Sequence, residues 1–135
     1  IIKNMETVKK YSILIVDDDK FLLNMYSMKF TKEGMVVTAV GDPQEALEKL
    51  RGGFTPDIII MDIVMPGMDG IELLTKIREE KLSPSSIVIV LSNQGQQSDI
   101  DRAKAIGING YIVKATTIPS EVLREVERIA QEAKK

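Results

Sequence analysis

The sequence contains no cysteine and no histidine among its 135 residues. Without cysteine, the chain can form neither a disulfide framework nor a thiolate metal site. Without histidine, it lacks the usual general base, the usual zinc ligand and any phosphohistidine of its own. Carboxylates, hydroxyls and amines are therefore the groups left to carry chemistry.

An excess of charge and a long apolar run are also absent. The formal net charge is −2, which gives no field to attract nucleic acid or an anionic membrane. The longest apolar runs, such as residues 87–91, are too short to span a bilayer, and the polar residues 3–10 lack the apolar centre of a secretory signal. We expect a cytoplasmic chain that contacts no membrane and binds no nucleic acid directly.

The length of the chain suits one domain of ordinary size, and its apolar share of 44% is enough for a real core. We expect residues 1–10 to form a polar N-terminal tail and residues 11–135 to form the domain. Because the sequence begins with isoleucine, we expect a piece of a longer gene product, so the lack of an output domain carries no weight.

The hydrophobic pattern predicts five strands that alternate with five helices. Uninterrupted β-branched runs are typical of strands covered on both faces, as in a parallel sheet. Start and stop signals such as Asp42-Pro43, Gly34 and Gly107 mark the helix ends. The predicted strands are residues 13–16, 35–40, 58–61, 87–91 and 111–113, and the predicted helices are residues 20–33, 42–52, 69–80, 98–106 and 119 onward.

This alternation predicts an α/β fold, a doubly wound (βα)5 three-layer sandwich around a parallel sheet of order 2-1-3-4-5. Ligands of such sheets bind beyond the carboxyl ends of the strands, where the order reverses. Strand 1 is followed by Asp17 and Asp18, and strand 3 is followed by Asp62. Ser92 ends strand 4 and Lys114 follows strand 5, so all five side chains should meet at one edge.

A cluster of carboxylates needs a cation or a proton, since two unit charges about 4 Å apart repel by roughly 4 kcal/mol at an effective dielectric near 20. Carboxylates with a backbone carbonyl and water form an all-oxygen site, which suits Mg²⁺ or Mn²⁺. Such an ion assists phosphoryl transfer, and a carboxylate that attacks phosphorus forms an acyl phosphate. Lys114 could pair with Asp62 and then with a phosphoryl oxygen, and Ser92 could bond another oxygen.

These residues together resemble the receiver domain of two-component response regulators, over residues 11 to about 133. The matching pieces are ILIVDDD at residues 13–19, IMDIVMPGMDG at 60–70, LS at 91–92 and YIVK at 111–114. The resemblance implies that Asp17 and Asp18 bind Mg²⁺, that the Val64 backbone carbonyl completes the metal site, and that Asp62 accepts the phosphoryl group.

The resemblance also implies that Ser92 and Lys114 contact the phosphoryl group and that Tyr111 reorients when Ser92 moves. The donor would be a sensor histidine kinase or a phosphotransfer protein, and the only catalysis would be the domain's own phosphorylation and dephosphorylation. Partners would dock on the fourth helix, fifth strand and fifth helix. The chain could also form a homodimer. That face would use Asp101, Lys104, Ala105, Tyr111, Glu125 and Arg128.

The chain departs from the family pattern after Lys114 and after Ser92. Ala115 stands where the family usually has a proline, and Asn93 stands where a smaller residue is usual. The alternative function is accordingly a degenerate receiver that binds a protein without being phosphorylated. Val64 and Gln94 are expected to tune the phosphoryl lifetime. An aspartyl-phosphate hydrolase is a third reading, but its Asp-x-Asp-x-Thr pattern is absent after strand 1.

Several residues at or near the predicted site also have a simpler structural interpretation. Asp19 is best read as a helix cap, and Asp69-Gly70 as a turn and cap. Tyr111 suits a core tyrosine with a bonded hydroxyl as well as a switch. Three apolar positions of the first helix are left over once Leu22, Tyr26 and Phe30 are assigned to the core, and they are candidates for docking a kinase; they are Phe21, Leu23 and Met28.

Overall fold

A computed structural model describes residues 11–93, 96–114 and 117–133. Its strands are β1 Ser12–Val16, β2 Val36–Val40, β3 Ile58–Met61, β4 Ile87–Ser92 and β5 Gly110–Val113. Its helices are α1 Lys20–Lys32, α2 Pro43–Arg51, α3 Gly70–Glu79, α4 Gln97–Ile106 and α5 Pro119–Ala133. Within these ranges no helix is long and apolar enough to cross a bilayer.

The five strands form one parallel sheet in the order β2-β1-β3-β4-β5, as the sequence predicts. Val16 at the end of β1 lies opposite Met61 at the end of β3. Ser92 at the end of β4 lies opposite Val113 at the end of β5. The residues that follow these strands therefore emerge side by side at the carboxyl edge.

Each face of the sheet carries its own hydrophobic core, since successive strand residues point to opposite faces. One core joins Ile13 and Ile15 of β1 to α1 and α5, and we call it the α1/α5 core. The other joins Leu14 and Val16 to α2, α3 and α4. The result is the expected three-layer sandwich.

Aspartates fix the starts of three helices by accepting hydrogen bonds from backbone N–H groups that have no partner inside the helix. Asp19 accepts from Leu22 N at 3.1 Å. Asp42 accepts from Gln44 N at 2.9 Å and Asp69 from Glu72 N at 2.8 Å. The cap roles predicted for these aspartates are confirmed.

One prediction about α1 is wrong. Leu23 was expected on the surface, but its side chain is buried in the α1/α5 core with only 8% exposed. The buried face of α1 runs through Leu23, Tyr26 and Phe30, so Leu22 is rotated to a half-buried position at the edge. Phe21 and Met28 are exposed as expected, at 76% and 73%.

Candidate functional site

Three carboxylates meet at the carboxyl edge of β1 and β3. One oxygen from each of Asp17, Asp18 and Asp62 lies within 4.8 Å of the others. Asp17 and Asp62 are buried, whereas Asp18 is exposed. The adjacency of β1 and β3 creates this cluster from residues far apart in the chain, as the predicted strand order required.

Backbone N–H groups hold one oxygen of each buried carboxylate. Asp17 Oδ1 accepts a hydrogen bond from Asp19 N at 2.9 Å, and Asp62 Oδ1 accepts one from Ile63 N at 2.7 Å. Burial raises the pKa of Asp17, although the hydrogen bonds from Lys114 and from the Asp19 backbone oppose this shift. Both carboxylates therefore keep a fixed orientation, with Oδ2 turned toward the opposite side.

The ammonium of Lys114 occupies that side. Its Nζ donates to Asp17 Oδ2 at 2.6 Å and to Asp62 Oδ2 at 3.1 Å. Burial favours the neutral amine, but the hydrogen bond to Asp17 and the charge of Asp62 outweigh it and raise the pKa of Lys114. The pKa of Asp17 rises because burial outweighs its hydrogen bonds, and the pKa of Lys114 rises because its two carboxylate partners outweigh burial.

Ser92 and Tyr111 lie on the neighbouring strands. Ser92 is fully buried at the end of β4, and its side chain shares a hydrogen bond with Tyr111. Burial raises the pKa of the Tyr111 hydroxyl, as does the charge of Asp99, while the bond with Ser92 opposes the rise. Tyr111 is half-buried and packs against the core under α2, α3 and α4. The bonded hydroxyl expected from the sequence is present.

A cavity of about 280 Å³ opens above these groups. Of the predicted site residues, Asp17 and Tyr111 are not among those that line it. Val64 and Asn93 both line it, and both have exposed side chains. The lining residues are Asp18, Asp19, Leu22, Asp62, Val64, Ser92, Asn93 and Lys114.

The sequence does not predict two features of this site. Lys114 was expected to pair with Asp62, and its shorter bond to Asp17 was not foreseen. The sequence predicts for Gly70 only a place in a turn and helix cap, but its Cα faces the loop after β3: a Cβ there would lie 2.0 Å from the Asp62 carbonyl oxygen. Gly70 N also donates to the Ile63 carbonyl at 2.7 Å. Glycine therefore lets α3 begin against the backbone that carries Asp62.

The residues predicted for the output face occupy α4, β5 and α5. Arg128 is bonded within α5 to Glu125 and Glu132. Asp101, Lys104, Ala105 and Arg128 are exposed, whereas Tyr111 and Glu125 are half-buried. Ala115, Gln94 and the N-terminal tail lie outside the described residues, so the predictions about them stay predictions.

Comparison with known proteins agrees with this geometry. The family model of the response regulator receiver domain matches residues 13–126. The chain belongs to this family. The predicted resemblance and the predicted fold are therefore confirmed.

Relatives of this receiver domain include both single-domain and longer regulators. The chemotaxis protein CheY of Thermotoga maritima is 36% identical over 120 residues, which cover 88% of this chain and 97% of CheY. The transcriptional regulatory protein ResD of Bacillus subtilis is 31% identical over 96% of this chain, which spans about half of ResD, 52%. The solved structure of CheY4 of Vibrio cholerae has a TM-score of 0.80 and 27% identity, covering 90% of this chain and 99% of CheY4.

Proposed function

We propose that this receiver domain accepts a phosphoryl group on Asp62 and that the modification changes the face made of α4, β5 and α5. The observation that carries the proposal is the position of Asp62: a buried carboxylate, fixed at Oδ1 by Ile63 N and facing Lys114 at Oδ2, on the wall of an open polar cavity. The proposed domain bounds, phosphoryl donor and output face are those that membership of the receiver family implies.

The proposed reaction is an attack by a carboxylate oxygen of Asp62 on phosphorus. The new O–P bond gives an acyl phosphate, while the donor's P–N bond in a phosphohistidine, or P–O bond in acetyl phosphate, breaks and its electron pair leaves with the donor. The charge of Lys114 would stabilise one phosphoryl oxygen, and the Ser92 hydroxyl would donate to another. Catalysis would be limited to the domain's own phosphorylation and dephosphorylation.

The acidic cluster fits a divalent metal ion. Its donor set is three carboxylates whose oxygens lie within 4.8 Å of one another, a hard all-oxygen set that suits Mg²⁺ or Mn²⁺. Asp17, Asp18, Asp62 and the Val64 backbone carbonyl would hold the ion. Bound there, it would offset negative charge on the transferring group.

Metal binding can be tested apart from phosphorylation. At a Mg²⁺ concentration about 100 times the dissociation constant, the free energy of unfolding should rise by about 2.7 kcal/mol. Asp18→Asn should abolish this rise because it removes the exposed ligand without touching the Lys114 bonds. Asp69→Asn, which alters only a helix cap at the same edge, should keep it. An equal response in all three proteins would contradict the metal site.

We also propose that the donor is a protein that docks around the cavity. Phe21, Val64 and Ile118 follow β1, β3 and β5 respectively, and each has an exposed apolar side chain. Exposed apolar side chains that follow the strands carrying the site suit a protein surface that presents a phosphorylated side chain. Phe21→Ala should slow transfer from a phosphorylated histidine kinase and leave labelling by acetyl phosphate unchanged. Equal transfer rates from the kinase to the wild type and to Phe21→Ala would show that Phe21 is not part of the docking surface.

The function itself is tested by acetyl-phosphate labelling followed by intact-protein mass spectrometry, with Mg²⁺ and with a chelator. We expect one added phosphoryl group that requires Mg²⁺ and is absent from Asp62→Asn. Full labelling of Asp62→Asn would contradict the proposal. No labelling of the wild type would favour the degenerate receiver, with Asn93 on the cavity wall as its structural basis. The cytoplasm, where histidine kinases deliver phosphoryl groups, is the proposed location.

A further inference from the structure

Asn93 is a polar residue of the cavity that the proposed phosphoryl transfer does not use. It directly follows Ser92 at the end of β4, and it lines the same cavity as Asp62 and Lys114. Asn93 is exposed, whereas Asp62 and Ser92 are buried. In the part of the chain that the structure describes, no hydrogen bond holds its carboxamide. The carboxamide can therefore bind a molecule that enters the cavity.

The chemistry of Asn93 differs from that of the other residues that line the cavity. Those residues supply two apolar side chains, three carboxylates, one ammonium and one hydroxyl. The ammonium only donates hydrogen bonds, and the ionised carboxylates only accept them. The hydroxyl, that of Ser92, is buried and bonded to Tyr111. Asn93 is thus the exposed lining residue whose side chain is uncharged and can accept as well as donate.

Hydrolysis of an acyl phosphate on Asp62 needs a water molecule in a defined position. The water must attack phosphorus in line with the bond that breaks, from the side away from the Asp62 oxygen. Since Asp62 is on the wall of the cavity, that water arrives through the cavity that Asn93 lines. A carboxamide oxygen that accepts one O–H of the water leaves a lone pair free to face phosphorus, and a glutamine orients the attacking water in this way in GTPases.

We propose that Asn93 is a catalytic residue for hydrolysis of the acyl phosphate: its Oδ1 accepts a hydrogen bond from the attacking water. This inference rests on the proposed phosphorylation of Asp62. The water oxygen forms a bond to phosphorus, the bond between phosphorus and the Asp62 oxygen breaks, and its electron pair returns to the carboxylate. Both protons of the water leave on the released phosphate. Asn93 therefore accepts a hydrogen bond but takes no proton, as suits a carboxamide, which is not a base.

The first test measures labelling and hydrolysis separately. The protein is labelled with acetyl phosphate and Mg²⁺, the donor is removed, and loss of the phosphoryl group is followed by intact-protein mass spectrometry. Asn93→Leu keeps the size of the side chain but removes its acceptor, so we expect hydrolysis about ten-fold slower than in the wild type. Labelling should proceed at the wild-type rate, because the transfer step uses no water. Asn24→Leu, the same change at an exposed asparagine of α1 that does not line the cavity, should leave both rates unchanged.

Asn93→Ala distinguishes catalysis from simple shielding of the cavity. If Asn93 orients the water, Asn93→Ala should also hydrolyse more slowly than the wild type. Faster hydrolysis in Asn93→Ala, with no change in Asn93→Leu, would overturn the inference, because Asn93 would then only exclude water. Equal hydrolysis in Asn93→Leu and the wild type would also overturn it while leaving Asp62 as phosphoacceptor. A wild type that is not labelled at all would contradict both proposals.

The second test is structural. A crystal structure of the full chain with Mg²⁺ and beryllofluoride, a mimic of the acyl phosphate, should show a water about 2.9 Å from Asn93 Oδ1 and about 3.5 Å from beryllium. With beryllofluoride bound at Asp62, a carboxamide that lies more than about 3.5 Å from any such water would overturn the inference.

Discussion

Lys114 Nζ lies 2.6 Å from Asp17 Oδ2, although 97 positions separate the two residues in the chain. The same ammonium is 3.1 Å from Asp62. One cation therefore joins the residues that follow β1, β3 and β5, and its side chain and that of Asp17 are both nearly inaccessible to water. Breaking this buried pair should therefore destabilise the domain.

Removal of this cation should destabilise the fold. Lys114→Met leaves Asp17 and Asp62 buried without a counter-ion, and we expect the free energy of unfolding at neutral pH to fall by about 3 kcal/mol, measured by urea denaturation. Arg51→Met is the matched control, because Arg51 and Glu80 also approach to 2.6 Å but on the surface. Its effect should be far smaller. Equal effects would show that burial does not govern the Lys114 pair.

Alkaline pH should destabilise the domain. The folded-state pKa values of Tyr26, Tyr111 and Lys114 are all raised above the ordinary values of 10.0 and 10.5. The unfolded chain therefore loses these protons first, so their contribution is fully present below about pH 10 and is lost as the pH rises through the folded values. Denaturation midpoints measured between about pH 9 and 11 should fall, and a flat profile would contradict the shifts.

Gly70 should not tolerate a side chain. A Cβ at this position would meet the Asp62 carbonyl oxygen at 2.0 Å and the Ile63 Cα at 2.8 Å, both of them backbone atoms. We expect Gly70→Ala to lower the free energy of unfolding by about 3 kcal/mol or more. Gly41→Ala is the control, since a Cβ at Gly41 has its nearest neighbour at 3.8 Å. Comparable midpoints for the two variants would refute the close approach.

Truncation of two nearby side chains on α1 should change the stability of the domain by very different amounts. Leu23 is buried in the α1/α5 core, so Leu23→Ala should cost about 2–5 kcal/mol of unfolding free energy. Phe21 is 76% exposed, so Phe21→Ala should change stability little. Thermal or urea denaturation distinguishes them. Similar costs for both variants would show that the buried face of α1 is wrongly assigned.

Leu23 also shows where sequence reasoning stops. The uninterrupted strands, the glycine and aspartate helix ends and the strand order follow from local pattern and general rules of parallel sheets, and all are confirmed. The rotation of α1 about its axis is different. Both Leu22 and Leu23 are apolar, so only contact with the sheet decides which one is buried.

The site residues show the same limit of prediction from sequence. Strand order alone predicts that Asp17, Asp18 and Asp62 meet, because it fixes which strand ends are neighbours. The Lys114 bond to Asp17 depends on how a long, flexible side chain crosses the edge of β4, which no spacing encodes. The need for glycine at Gly70 depends on contact with another segment of backbone, so the sequence shows only a turn.

The central claim, that Asp62 carries the phosphoryl group, is tested most directly by chemical trapping. The protein is labelled with acetyl phosphate and Mg²⁺, and the acyl phosphate is reduced with borohydride, which converts a phosphorylated aspartate to homoserine. Tandem mass spectrometry of the peptides then locates the product. We predict homoserine at position 62 alone. Homoserine at position 17 or 18, or a stable phosphate on Ser92, would contradict the account.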